Sequence, residues 1–171
     1  KCTLFLFFSL LFINFQVIAE SPEVSIPSAP TIDAAAYILQ DYHTGKVLAE
    51  NNADAKLAPA SLTKIMTVYV VFIELSNGHL HLEDMVTISE KAWKTSGSRM
   101  FVELGSKVKV EDLLKGVIIQ SGNDASVALA EHVGGNEETF AEMMNQHAIR
   151  LGMANSHFKN SDGLPVEDHY T

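Results

Sequence analysis

Pro59-Ala60-Ser61-Leu62-Thr63-Lys64-Ile65-Met66-Thr67 leads into an apolar run that continues to Ile73. Proline suits the first turn of a helix, where its missing N–H would lack an intrahelical acceptor in any case. The stretch therefore predicts a helix that starts near Ser61 and stops near Ser76-Asn77-Gly78. Ser61 and Lys64 are three residues apart, so a helix holds them on one face, one turn apart and within mutual reach. A serine hydroxyl is a weak nucleophile until a neighbouring base takes its proton. Lysine serves as that base when its surroundings keep part of it neutral, and the positive end of the helix dipole favours oxyanion charge. The same serine would also suit a plain helix cap.

The Ser-x-x-Lys spacing recurs at Ser106/Lys109 and Ser156/Lys159. Lys107-Val108-Lys109-Val110 alternates like a half-exposed strand, which would put Ser106 and Lys109 on opposite faces. Ser156 and Lys159 lie among Asn155, Asn160 and Asp162-Gly163, which is turn chemistry. Only Ser61 has the helical context.

The N-terminal residues read as a secretory signal. Lys1 precedes the apolar stretch from Leu4 to Ile13, and Val17-Ile18-Ala19 offers a small-residue exit, so residues 1–19 are expected to be removed. The apolar core is short for a membrane span, although an uncleaved anchor is the alternative. Residues 20–32, rich in Ser and Pro, read as a flexible leader. The first residue is Lys, and residues are expected to precede it. The one cysteine, Cys2, lies within the signal, so the exported chain would have neither a disulfide nor a thiolate metal site. With 12 Lys+Arg against 21 Asp+Glu, the chain is acidic and poorly suited to nucleic acid. The export signal places it in a bacterial periplasm or at the outer face of the cytoplasmic membrane.

Residues 33–171 read as one domain without internal repeats. Ala35–Gln40 and Val47–Glu50 form a predicted hairpin around Asp41-Tyr42-His43-Thr44-Gly45-Lys46. Met85–Ile88 reads as a short strand, and Lys91–Glu103 as irregular. Val110, Leu113, Leu114, Val117 and Ile118 make one buried helical stripe. A further helix runs from about Asp124 to Gly134-Gly135. Another carries Phe140, Met143, Met144, His147 and Leu151 on one face and closes at Gly152. A hairpin followed mostly by helices, with no βαβ alternation, is an α+β pattern.

Between two of these helices stands Ser121-Gly122-Asn123, the only Ser-x-Asn in the chain. Such a loop aims two polar side chains into a cleft. The hydroxyl could relay a proton and the amide could hold a substrate carbonyl and the lysine. A turn followed by a helix cap uses the same residues.

Ser-x-x-Lys at a helix start, followed after a helical stretch by Ser-x-Asn, resembles the penicillin-binding protein and serine β-lactamase superfamily. The segments Pro59–Thr67, Gly116–Ala125, Leu151-Gly152-Met153 and Asn160-Ser161-Asp162-Gly163-Leu164 resemble the low-molecular-mass D-alanyl-D-alanine carboxypeptidases, over residues 33–171. The resemblance implies a β-lactamase/transpeptidase-like fold, with a helical subdomain and an antiparallel sheet. It implies that Ser61 attacks the bond between terminal D-alanines of a peptidoglycan stem peptide, with Lys64 as its base. Ser121 would assist proton relay and Asn123 would position substrate. Penicillins and other β-lactam antibiotics would acylate the same serine, and no cofactor or metal is implied. The family's third motif, Lys-Ser/Thr-Gly, has no counterpart here; Lys94-Thr95-Ser96-Gly97 has one residue too many. The chain is therefore expected to be incomplete at its C-terminus. The remainder would supply most of the sheet, the third motif and a membrane-associating segment, and these 171 residues alone are expected to be inactive.

Two alternatives stand beside this reading. A class A β-lactamase would need a glutamate to activate the deacylating water, and Ser156–Leu164 contains none. An inactive wall-binding homologue would more often have lost the nucleophile or the base. His79 and His81 flank Leu80 in an expected surface turn and lack the further ligands a metal needs. The acidic pairs Glu83-Asp84, Glu111-Asp112 and Glu137-Glu138 read as solvated helix starts.

Overall fold

The computed structural model describes residues 28–171. The signal expected at 1–19 lies outside the described residues, as does the expected leader up to residue 27. The chain divides at Ala53/Asp54 into two compact units.

The first unit carries the hairpin. Strands β1 (Tyr37–Gln40) and β2 (Val47–Asn51) pair antiparallel, with Tyr37 opposite Asn51 and a register slip between Leu39 and Gln40. Asp41 organises the turn. Its carboxylate accepts the Thr44 N–H at 2.8 Å and the Thr44 hydroxyl at 2.6 Å. Gly45 takes φ +71°, as expected of the turn glycine.

The second unit is mostly helical and is built around α1 (Thr63–Ser76). Thr63, Met66, Thr67, Val70 and Val71 of this helix are buried, and it packs against α3 (Val110–Gln120), α4 (Asn123–Gly134) and α5 (Glu137–Arg150). In α4, Ala125, Ser126, Ala128 and Ala130 are buried beside Val127 and Leu129. These small side chains let neighbouring helices approach from several sides. Strands β3 (Met85–Thr87) and β4 (Lys107–Lys109) pair antiparallel, with Val86 opposite Val108.

Five expectations need correction. The Glu83-Asp84 pair stands in the turn before β3, not at a helix start. The stretch expected to be irregular contains a short helix, α2 (Glu90–Lys94), whose N-cap Ser89 accepts the Ala92 N–H at 3.0 Å. Five residues are too few for apolar periodicity to announce a helix. Ile118, expected in the buried stripe of α3, is 60% exposed, and Leu151 is exposed at the end of α5. The Glu137-Glu138 pair divides: Glu138 is solvated, whereas Glu137 is buried.

The loop after α2 is held from inside the fold. The fully buried Asp124 carboxylate accepts the backbone N–H groups of Met100, Phe101 and Val102 at 3.0, 2.9 and 3.2 Å. At the C-terminal end, Gly163 packs against the start of α1. A Cβ there would lie 1.9 Å from the Ala60 carbonyl oxygen, and φ is +86°. Glycine alone satisfies both demands. Gly163→Ala is expected to destabilise the protein by about 3 kcal/mol or more. The check is a lower urea midpoint with an unchanged slope.

Candidate active site

Ser61 lies in a single 3₁₀ turn, Ala60–Leu62, that runs straight into α1. Neither the turn nor α1 has a side-chain cap bond at its N-terminus. The Ser61 hydroxyl is therefore not spent on capping, and the plain-cap alternative falls. Ala60, just before it, has φ +48°, a left-handed conformation that costs a non-glycine residue roughly 1–2 kcal/mol. Such strain clusters at functional sites.

Lys64 follows one turn later, as its spacing predicts. Its side chain is buried, and its ammonium group has three neighbours. Nζ lies 2.6 Å from the Asp162 carbonyl oxygen, 2.7 Å from Asn123 Oδ1 and 3.3 Å from Ser61 Oγ. The first two are obligate acceptors and can only receive a lysine proton. The third is a hydroxyl, able to donate. A neutral lysine has two N–H groups and one lone pair. With both N–H groups committed to the carbonyl oxygens, its lone pair is left for the Ser61 O–H. Burial pushes the Lys64 pKa below its ordinary 10.5, while the negative charge of Asp162 works against that shift. Burial likewise raises the Asp162 carboxyl, against the Leu164 N–H that its Oδ1 accepts at 2.9 Å.

Asn123 is the first residue of α4 and is buried. Its orientation is fixed on both sides: Oδ1 accepts from Lys64, and Nδ2 donates to the Ser96 carbonyl at 2.6 Å. Its own backbone N–H donates to the Ser98 carbonyl at 2.7 Å. Gly97 lies flat against this amide, where a Cβ would stand 2.5 Å from Nδ2. Ser121 closes α3 in the left-handed region, at φ +55° and ψ +37°.

Ser61, Lys64 and Ser121 line one cleft of about 490 Å³, walled by Ile65, Phe72 and Ile118 among others. The structure thus brings all four predicted site residues to one place. Lys64, Asn123 and Ser61 are hydrogen-bonded together. Ser121 shares the cleft, but among the described residues no hydrogen bond joins its hydroxyl to Ser61 or Lys64. The other two Ser-x-x-Lys pairs do not form such a site. Lys109 pairs with Glu83, and Lys159 lies on the surface. Sequence reasoning gave no role to the Asp162 carbonyl or to the Ser96 carbonyl. Main-chain oxygens leave no residue-type signal. Among the described residues, no group of three or more His, Cys, Asp or Glu could hold a metal ion.

Comparison with known proteins decides the family. The D-alanyl-D-alanine carboxypeptidase family model (peptidase S11) matches residues 23–171. The chain belongs to this family. It is 51% identical to the D-alanyl-D-alanine carboxypeptidase DacC of Escherichia coli over 149 residues, which is 84% of this chain and 37% of that protein. It is 45% identical to DacF of Bacillus subtilis over 81% of this chain and 36% of that one. Among solved structures, DacD of Francisella tularensis superposes with a TM-score of 0.81 at 46% identity, covering 90% of this chain and 37% of that chain. Penicillin binding protein 5 of Haemophilus influenzae superposes with a TM-score of 0.80 at 45% identity, covering 85% and 43%. The α+β expectation and the penicillin-binding fold hold at this level of likeness. The chain spans only part of the length of these curated relatives, 37% of DacC, 36% of DacF and 40% of DacA of Haemophilus influenzae.

Proposed function

We propose that this region carries the nucleophile and general base of a serine-type D-Ala-D-Ala carboxypeptidase. The observation that carries the proposal is the environment of Lys64 Nζ, with two carbonyl oxygens as fixed acceptors and a serine hydroxyl as its third neighbour. Ser61 Oγ attacks the carbonyl carbon of the penultimate D-alanine of a peptidoglycan stem peptide, and its proton passes to Lys64. The oxyanion forms against the backbone N–H of Ser61, in the 3₁₀ turn that leads into α1. The C–N bond then breaks. The departing D-alanine amine receives its proton from Lys64, with Ser121 as relay. Water attacks the acyl-enzyme as Lys64 takes its proton, and Lys64 returns that proton to Ser61 Oγ as the ester C–O bond breaks, releasing the shortened peptide and restoring the neutral base.

Asn123 holds Lys64 with its oxygen. One of its amide hydrogens goes to Ser96, and the other is left to orient a substrate carbonyl. β-Lactams enter the same chemistry as acylating agents of Ser61. The expected setting is the periplasm, with the whole protein held at the outer face of the cytoplasmic membrane by a segment beyond this region. Among the described residues, no helix is long and apolar enough to cross a membrane.

The test uses the full-length protein, a peptide ending in D-Ala-D-Ala and benzylpenicillin. Release of free D-alanine and a slowly decaying penicillin adduct are expected. Rapid turnover of penicillin without D-alanine release would point instead to a β-lactamase. Neither reaction would leave a wall-binding homologue.

A further inference from the structure

We infer that Glu137 is a positioning residue for Lys64, acting through the backbone of Ser161 and Asp162. The inference rests on Lys64 being the base of the reaction proposed above.

The Asp162 carbonyl is one of the two acceptors that commit the N–H groups of Lys64, so its position decides where the lone pair points. Three hydrogen bonds shape its turn internally. Gly163 N–H donates to Asn160 Oδ1 at 2.8 Å, Asn160 Nδ2 donates to the Leu164 carbonyl at 2.8 Å, and Leu164 N–H donates to Asp162 Oδ1 at 2.9 Å. None fixes the turn against the helices. That attachment comes at Ser161, which is fully buried. Its carbonyl accepts from Thr67 Oγ1 at 2.7 Å. Its N–H and its hydroxyl both donate to Glu137 Oε1, at 2.9 and 2.7 Å. Thr67 lies three residues after Lys64, so α1 grips two successive carbonyls of this turn with two side chains on one face. Glu137, from the first turn of α5, holds the same residue, Ser161, by its N–H and its hydroxyl.

A carboxylate that is 7% exposed is costly unless it is well partnered. Helix capping does not require it, since Asn136 already caps α5 by accepting the Thr139 N–H at 2.7 Å. Its second oxygen meets Lys91 Nζ of α2 at 2.9 Å, and that lysine is partly exposed. The oxygen facing inward is given wholly to Ser161. Without it, a buried N–H and a buried hydroxyl lose their acceptor, a loss that a turn relieves by moving. Movement there withdraws the Asp162 carbonyl from Lys64.

Four variants of the full-length protein separate the possibilities. Glu137→Gln keeps an oxygen acceptor for Ser161, and Lys91→Ala leaves that acceptor in place. Both are expected to stay within about threefold of wild type in D-alanine release. Glu137→Ala removes the acceptor and should lower kcat about 10- to 100-fold, the range for supporting residues behind a reacting group, with little change in KM. Glu137→Asp keeps the charge but draws the acceptor back by one methylene, and an intermediate loss is expected. It remains informative if Glu137→Ala does not fold. In both impaired variants, the pH midpoint of penicillin acylation should fall, because the lysine ammonium loses an acceptor. A general loss of stability would leave that midpoint in place.

Wild-type rates in Glu137→Asp and in folded Glu137→Ala would overturn the inference while leaving the proposed function standing. So would an equal loss in Glu137→Gln or Lys91→Ala. An inactive wild-type protein that takes no penicillin would remove the function and this inference together.

Discussion

Ser61→Ala in the full-length protein is expected to abolish the penicillin adduct and to lower D-alanine release by about 10⁴-fold or more, as loss of an acyl-transfer nucleophile does. Stability should barely change. A serine that caps a helix costs about 1 kcal/mol when replaced by alanine. Here the helix start has no side-chain cap bond, and Ser61 is exposed, so that loss does not arise. The two measurements together separate a nucleophile from a cap. Intact mass reads the adduct, and a urea melt reads the stability. A variant that keeps its adduct but melts early would assign Ser61 to structure.

The second large effect is expected at Lys64. Lys64→Arg keeps a cation at the head of α1 but cannot supply a neutral nitrogen, because guanidinium stays protonated throughout the accessible pH range. Acylation by penicillin should fall by about 10³-fold, within the usual range for loss of a general base. Lys64→Met asks the complementary question. It removes the charge and leaves Asn123 Oδ1 and the Asp162 carbonyl without their donor, each at a cost of about 1–3 kcal/mol when buried. That variant should be both inactive and less stable. The comparison matters because a purely structural lysine would be served better by arginine than by methionine in both assays.

The parts of this site that were legible in the sequence are those fixed by local spacing. Ser61 and Lys64 are one helical turn apart, and an apolar run downstream of a proline guaranteed the helix. Asn123 was marked only as part of the single Ser-x-Asn, at a helix junction where a turn and cap would serve as well, and its role came from the family resemblance. The supports of Lys64 were not legible. Asp162 contributes a main-chain oxygen, Ser96 does the same for Asn123, and 98 residues separate Lys64 from Asp162. Glu137 looked like an ordinary solvated acid at a helix start, because nothing in its own neighbourhood shows that Ser161 returns to cover it. The α2 helix escaped for the opposite reason. It is purely local but shorter than the periodicity that would reveal it. Ile118 obeys the helical stripe, yet it faces the cleft beside Ser61 instead of the core.

Burial links the chemistry of Lys64 to stability. The folded state lowers the lysine pKa below 10.5, so between the folded value and 10.5 the unfolded chain binds more protons. Stability should therefore rise with pH through that window, and below the folded value the buried ammonium carries its full cost. The site accepts that cost to hold an amine that loses its proton more readily.

The most direct test of the account is the pH dependence of penicillin acylation in the full-length protein, followed by intact mass with the adduct mapped by peptide sequencing. A neutral Lys64 is needed, so the rate should climb with pH along a single ionisation whose midpoint lies below 10.5, with all label on Ser61. In Lys64→Arg, the residual rate should show no such rise. Label on another residue would contradict the account, as would a Ser61 adduct whose rate stays flat until the pH reaches that of an ordinary lysine.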